Sequence, residues 1–204
     1  MSRGTRTCAS PTRGFSRRSL LETVLGLALV APWLRVAHTA ESAGPEAATL
    51  RPQAGDWLVS STAGAPADAV TPAGVPVGGP PVLAYPMDPA TKTVRDGSRL
   101  NQILLVRLGV DDLSAETRTR AAAGVVGYSA ICTHTGCDVW DWDARARTLK
   151  CPCHFSVFDV KDAARVLDGP APRRLPALPL KVADGVLVVA SAFVGRPGFQ
   201  QGGA

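Results

Sequence analysis

Cys132-Thr133-His134-Thr135-Gly136-Cys137 and, after a short spacer, Cys151-Pro152-Cys153-His154-Phe155-Ser156 form the stretch from which the rest of the chain is read. Beyond the first forty residues, every Cys and every His of the protein lies in these two boxes. Metal-binding side chains that occur nowhere else point to joint use at one site. Each box offers a Cys and a His separated by one or two residues (132 with 134, 151 with 154), plus one further Cys.

Two Cys and two His suit either zinc or iron. A mononuclear zinc finger usually takes two Cys from one turn and two His from another. Here each loop supplies one of each, so two facing loops would line up Cys with Cys and His with His. That arrangement suits a binuclear [2Fe–2S] cluster with one iron on two thiolates and the other on two imidazoles. Cys137 and Cys153 are then left over, one per loop, and in an oxidising compartment a disulfide between them would tie the loops together. A structural zinc site built from the same four residues is the alternative, as is a pure disulfide framework, which gives no reason for His beside Cys. A thioredoxin-like redox pair does not fit, because one residue separates Cys151 and Cys153 where that motif has two.

These residues resemble the Rieske iron–sulfur family, whose pattern is Cys-x-His-x-Gly-Cys, a spacer, then Cys-Pro-Cys-His-x-Ser, ending here at Ser156. The resemblance covers about the last two thirds of the chain. It implies that Cys132 and Cys151 ligate one iron of a [2Fe–2S] cluster, that His134 and His154 ligate the other, and that Cys137 and Cys153 form a disulfide. The implied fold is all-β, an antiparallel β-sandwich base with a small cluster-binding subdomain over about 131–172. Gly169-Pro170-Ala171-Pro172 and Leu175-Pro176 match the family's proline loop, with Gly169 and Pro170 as the cover over the cluster; proline fixes φ and stiffens such a cover. The resemblance also implies that the imidazoles face solvent at the tip.

Working outward, the first forty residues read as an export leader. They hold six of the 22 Lys+Arg and one of the 17 Asp+Glu, which leaves sixteen of each sign in the remainder. The sequence pI of about 9.2 is therefore a property of the leader, and no nucleic-acid partner follows from it. Ser16-Arg17-Arg18-Ser19-Leu20-Leu21 resembles a twin-arginine motif, a route that carries folded proteins and suits a cofactor assembled before export. The apolar run Leu20–Leu34 contains Glu22 and Pro32 and falls short of the roughly 20 residues of a spanning helix, which favours a signal peptide over a retained membrane anchor. Cleavage after Ala40 would place His38 at a position that prefers a small residue. Cys8 lies in this leader.

Residues 41–56 read as a linker or a loosely held arm, and 57–204 as the domain. Short runs rich in branched and aromatic residues predict strands at Trp57–Ser60, Val82–Tyr85, Asn101–Leu108, Val125–Ile131, Thr148–Lys150, Val157–Val160, Leu180–Val182 and Gly185–Ala190. Asp184-Gly185 between the last two is a hairpin signal. Ser114–Ala123 predicts one helix on a surface insertion, capped by Ser114. Residues 63–81 read as long Pro- and Gly-rich loops. Trp140 and Trp142, in the spacer between the boxes, are expected to pack against the base.

Neutral imidazoles in place of thiolates raise a cluster's potential, and hydrogen bonds to its sulfurs raise it further. In respiratory Rieske proteins a Ser and a Tyr hydroxyl donate to those sulfurs. Ser156 matches the first, whereas the second position is Phe158, so the resemblance implies a potential below that of the quinol-oxidising type. Phe155, Phe158, the run Val126–Cys132 and the ending Phe193-Val194-Gly195-Arg196 are similar to the small subunit of arsenite oxidase. That likeness implies a periplasmic electron relay without substrate chemistry of its own, between a large molybdopterin-type catalytic subunit and a cytochrome c-type acceptor. The second expectation is a Rieske subunit of a bc complex, with cytochrome b and c1 as partners. The third, of another class, is an exported zinc-stapled binding module.

Overall fold

Ile103–Arg107 shows how this chain is layered. Branched residues fill it without a polar alternation, and four of its five side chains are buried. Ile103 and Leu105 point into one apolar cluster, with Leu58, Ala84, Leu187 and Val189. Leu104 and Val106 point into another, with Tyr128, Leu149 and Phe158. A strand with core on both faces reads as a continuous apolar run, and this one is the wall between the two halves of the domain.

The computed structural model describes residues 45–60 and 68–199. The leader, with its twin-arginine motif and Cys8, lies outside the described residues, as do 61–67 of the first long loop. In chain order the strands are β1 (Trp57–Ser60), β2 (Val82–Met87), β3 (Ile103–Arg107), β4 (Val125–Ser129), β5 (Asp141–Asp143), β6 (Thr148–Lys150), β7 (Val157–Asp159), β8 (Arg165–Asp168), β9 (Ala177–Leu178), β10 (Leu180–Ala183) and β11 (Val186–Val189). They form a seven-stranded sheet in the order β10-β11-β1-β2-β3-β4-β9 and a four-stranded sheet in the order β5-β6-β7-β8. Every pairing of strands is antiparallel. β9 and β10 sit at opposite ends of the larger sheet, yet only Pro179 separates them in sequence. The larger sheet is therefore curled nearly closed around the first cluster, and the expected antiparallel all-β architecture is present.

The β10–β11 hairpin turns at Asp184-Gly185, both with positive φ (51° and 78°), the geometry that a two-residue turn between right-twisted strands needs. The helix predicted over Ser114–Ala123 is shorter. Ser114 does cap it, its hydroxyl accepting the Thr117 N–H at 3.2 Å, but the helix ends at Arg118. Ala122 is drawn instead into paired hydrogen bonds with Val125 at 2.8 and 2.9 Å, which close a tight turn before β4. Nor is it a free surface insertion. Thr117 is buried, and its hydroxyl accepts the Ala163 N–H at 2.8 Å.

Residues 45–56 also differ from a linker or loose arm. Pro45–Thr49 is a helical turn, and Ala48 and Leu50 give their carbonyls to the Gly97 N–H and the Asn101 amide. Asp56 is wholly enclosed and forms a two-point ion pair with Arg95 (2.7 and 2.9 Å). The long loop is likewise part of the core, since Val70 and Val75 are buried in the first cluster.

Candidate metal centre

The two boxes fold into the same turn. In the first, the Cys132 N–H donates to the Cys137 carbonyl at 2.8 Å and the Gly136 N–H returns to the Cys132 carbonyl at 3.1 Å. In the second, the Cys151 N–H donates to the Ser156 carbonyl at 2.9 Å and the Phe155 N–H to the Cys151 carbonyl at 3.0 Å. The residue four after the leading Cys must be left-handed in both, at φ 83° for Gly136 and 60° for Phe155. Glycine takes that conformation freely. A bulky residue there costs on the order of 1–2 kcal/mol, and Phe155 does so with its ring 60% exposed and the Lys150 ammonium 4.7 Å from the ring centre.

These turns bring the pairs together like with like. The His134 and His154 rings stand edge to face with centres 4.6 Å apart. Cys132 and Cys151 are both free thiols and both buried, close enough to interact through their side chains. Burial is the main reason that the Cys132 thiol is pushed up to about 11, with the neighbouring Cys151 adding to it. Two buried thiols side by side give up their protons only to a cation that repays the desolvation. His134 Nδ1 is buried without any hydrogen-bond partner, whereas His154 is exposed. An unpartnered imidazole nitrogen beside two desolvated thiols is a donor set that suits a metal centre. The residues therefore fit a cluster with sulfur on one side and nitrogen on the other.

Cys137 and Cys153 are joined by a disulfide with Cα atoms 6.6 Å apart, so the two turns are tied covalently. Their sulfurs and that of Cys151 lie within 4.8 Å of one another, but only Cys151 among the three has a free thiol to offer. Beneath the turns, Val139, Leu149 and Phe158 close the floor.

The family model for the Rieske [2Fe-2S] domain matches residues 103–179. This chain carries a Rieske [2Fe-2S] domain. A Rieske subunit attributed to a respiratory nitrate reductase of Haloferax mediterranei is 42% identical over 106 residues, which are 51% of this chain and 47% of that protein. The cytochrome bc1 complex Rieske iron-sulfur subunit of Streptomyces lividans is 39% identical over 83 residues, 40% of this chain and 49% of its own length. The chain thus spans about half the length of these curated relatives. Among solved structures, the soluble domain of Rieske protein II from Sulfolobus acidocaldarius aligns with a TM-score of 0.35 at 22% identity, over 44% of this chain and 61% of that one. The cofactor of such a domain is a [2Fe-2S] cluster.

Around the Rieske turns, Ser156 is fully enclosed and its hydroxyl oxygen accepts the Ala171 N–H at 3.0 Å. Gly169 passes so close to Ser156 that a Cβ would lie 2.5 Å from its Cα. The proline loop is thereby seated on the second box, with Gly169 and Pro170 exposed and Ala171 buried. Phe158 is fully buried on β7 opposite Leu149 and Val166.

The two tryptophans part company. Trp142 packs on the base, its indole N–H donating to the Gly78 carbonyl at 3.1 Å. Trp140 does not; two positions nearer the first box, it is 64% exposed. Two residues to which the sequence assigns no role also hold the first turn. Arg99 donates to the Gly136 carbonyl at 3.0 Å and to Asp138 at 2.6 Å. Thr133, buried between Cys132 and His134 in sequence, donates to the Arg173 carbonyl at 2.6 Å. These partners stand 37 to 40 residues away, and no local pattern marks them.

Proposed function

We propose that the chain is an electron relay in which Cys132 and Cys151 hold one iron and His134 and His154 the other. The observation that carries this is the like-with-like meeting of the two turns, with His134 Nδ1 buried and unpartnered. When bound, the cluster supplies one-electron chemistry. The chain's own residues shield the thiolate side, leave His154 at the surface and set the potential. Ser156 Oγ accepts the Ala171 N–H, so its own proton is directed elsewhere, and we assign it to a cluster sulfur. Gly169 and Pro170 serve as the cover. Purified protein is expected to contain iron and acid-labile sulfide in equal amounts, with a rhombic EPR signal after reduction. Zinc alone, with no sulfide, would sink this reading in favour of the zinc-stapled module.

Phe158 takes the position at which a tyrosine hydroxyl would add a second donor. Phe158→Tyr is therefore expected to raise the cluster's potential in protein-film voltammetry, without loss of the buried ring. An unchanged or lowered potential would show that this ring edge does not face the sulfurs.

The reading extends to a periplasmic protein exported folded by the twin-arginine route. It would serve a molybdenum-type catalytic subunit of the arsenite oxidase kind and pass electrons to a cytochrome c-type carrier. Phe155 and Phe158 support it, as does the relative attributed to an oxidoreductase other than the bc1 complex. The Streptomyces relative favours the second reading, a bc-complex subunit. Gentle purification from native cells discriminates: a large molybdopterin protein supports the first, and cytochromes b and c1 the second.

A further inference from the structure

The Phe193-Val194-Gly195-Arg196 ending has no part in the relay, yet it is built into the fold. Val194 and Ala177 exchange hydrogen bonds at 2.7 and 3.1 Å, which pins the tail beside β9. Gly195 then takes φ 96°, resting against Pro176, where a Cβ would lie 3.6 Å from that ring. The left-handed step turns Arg196 into a pocket of about 380 Å³ that it shares with Arg173, Arg174, Glu116, Pro176 and Gly195.

Three guanidinium groups line this pocket against a single carboxylate. That carboxylate is already committed, since Glu116 Oε1 accepts from Arg174 at 2.8 Å and from Arg120 at 3.0 Å. Arg173 spends one donor on the Gly198 carbonyl. Arg196 makes no hydrogen bond or ion pair among the described residues. Burial, and after it the charge of Arg196, hold the Arg173 guanidinium below its ordinary pKa. Two planar forks with spare donors face one space, and such forks match the two oxygens of a carboxylate or phosphate. Like charges brought together without a counter-ion cost free energy, which a bound anion recovers.

We propose that this pocket is an oxyanion-binding site in which Arg196 and Arg173 are the direct donors and Arg174, held by Glu116, completes the positive wall. Two sources share that chemistry: a free inorganic oxyanion, and an acidic side chain of a protein docked on this face. The site adjoins the cluster turn, because the Arg173 carbonyl accepts the Thr133 hydroxyl.

The test titrates the cluster-loaded full chain by calorimetry, with inorganic phosphate in one arm and a tri-glutamate peptide in the other. Arg196→Gln is the informative variant, because an exposed side chain without partners among the described residues is removed at little cost to the fold. Arg118→Gln, an exposed arginine outside the pocket, is the control. Saturable binding to wild type, weakened about tenfold or more in Arg196→Gln and unchanged in the control, supports the site. Tighter phosphate binding identifies a free oxyanion, and tighter peptide binding a partner's acid. Absence of saturable heat with either probe well above the millimolar range, or equal weakening in Arg118→Gln, overturns it.

Discussion

Cys151→Ser is expected to yield a folded, colourless protein without iron, sulfide or a rhombic EPR signal. Cys151 is buried on the floor of the second turn, next to Cys132 and beside the disulfide sulfurs. Losing even an outer partner of a metal ligand costs about 10–100-fold in metal affinity, and this substitution removes the thiolate that the proposed relay assigns to iron. A serine hydroxyl, harder and far less acidic, does not replace it. The fold has independent support, because the Cys137–Cys153 link and both apolar clusters are untouched. Iron analysis with circular dichroism checks both halves of the expectation. A variant that kept wild-type iron content would refute the ligand assignment, and one that unfolded would show that the cluster, not the disulfide, holds the turns.

The site was legible because its chemistry is local. Two Cys–His boxes name the candidate donors, and each turn closes on its own backbone within six residues, from Cys132 to Cys137 and from Cys151 to Ser156. The long apolar strands were legible for the same reason, since β3 and β4 are core on both faces. Three of the short strands, β5, β8 and β9, were not. β5 is Asp141-Trp142-Asp143, whose composition speaks for a turn, and it becomes a strand only by pairing with Thr148–Lys150. β8 and β9 are likewise made by their neighbours. Trp140 and Trp142 look alike in sequence, but only Trp142 meets Gly79, where a glycine leaves room for the indole. Trp142 lies in β5, whereas Trp140 precedes that strand and has no such seat.

Long-range polar contacts were the least legible, and the largest of them gives the second strong expectation. Asp56→Ala should destabilise the domain by about 3–5 kcal/mol, the usual penalty for stranding one member of a buried ion pair. Asp56 and Arg95 are each 3% exposed, 39 residues apart in sequence, and joined at both oxygens. The carboxylate holds the guanidinium above its ordinary pKa, against burial, which acts the other way. The same carboxylate also accepts the Gln53 N–H at 2.8 Å, so it ties 45–56 to the sheet. Without it, Arg95 keeps Asp88, 4.0 Å away and partly exposed, and the Ala47 carbonyl at 3.4 Å, which places the loss toward the lower end. For a domain of this size the melting temperature should fall on the order of 10 °C, followed by circular dichroism on the cluster-loaded protein. Asp56→Leu with Arg95→Met removes both charges and should recover most of the loss, because a buried pair replaced by apolar groups is often neutral. If the single variant melted within about 2 °C of wild type, the pair would be behaving as a solvated surface contact, worth little. In that case residues 45–56 would be the loose arm that their composition describes.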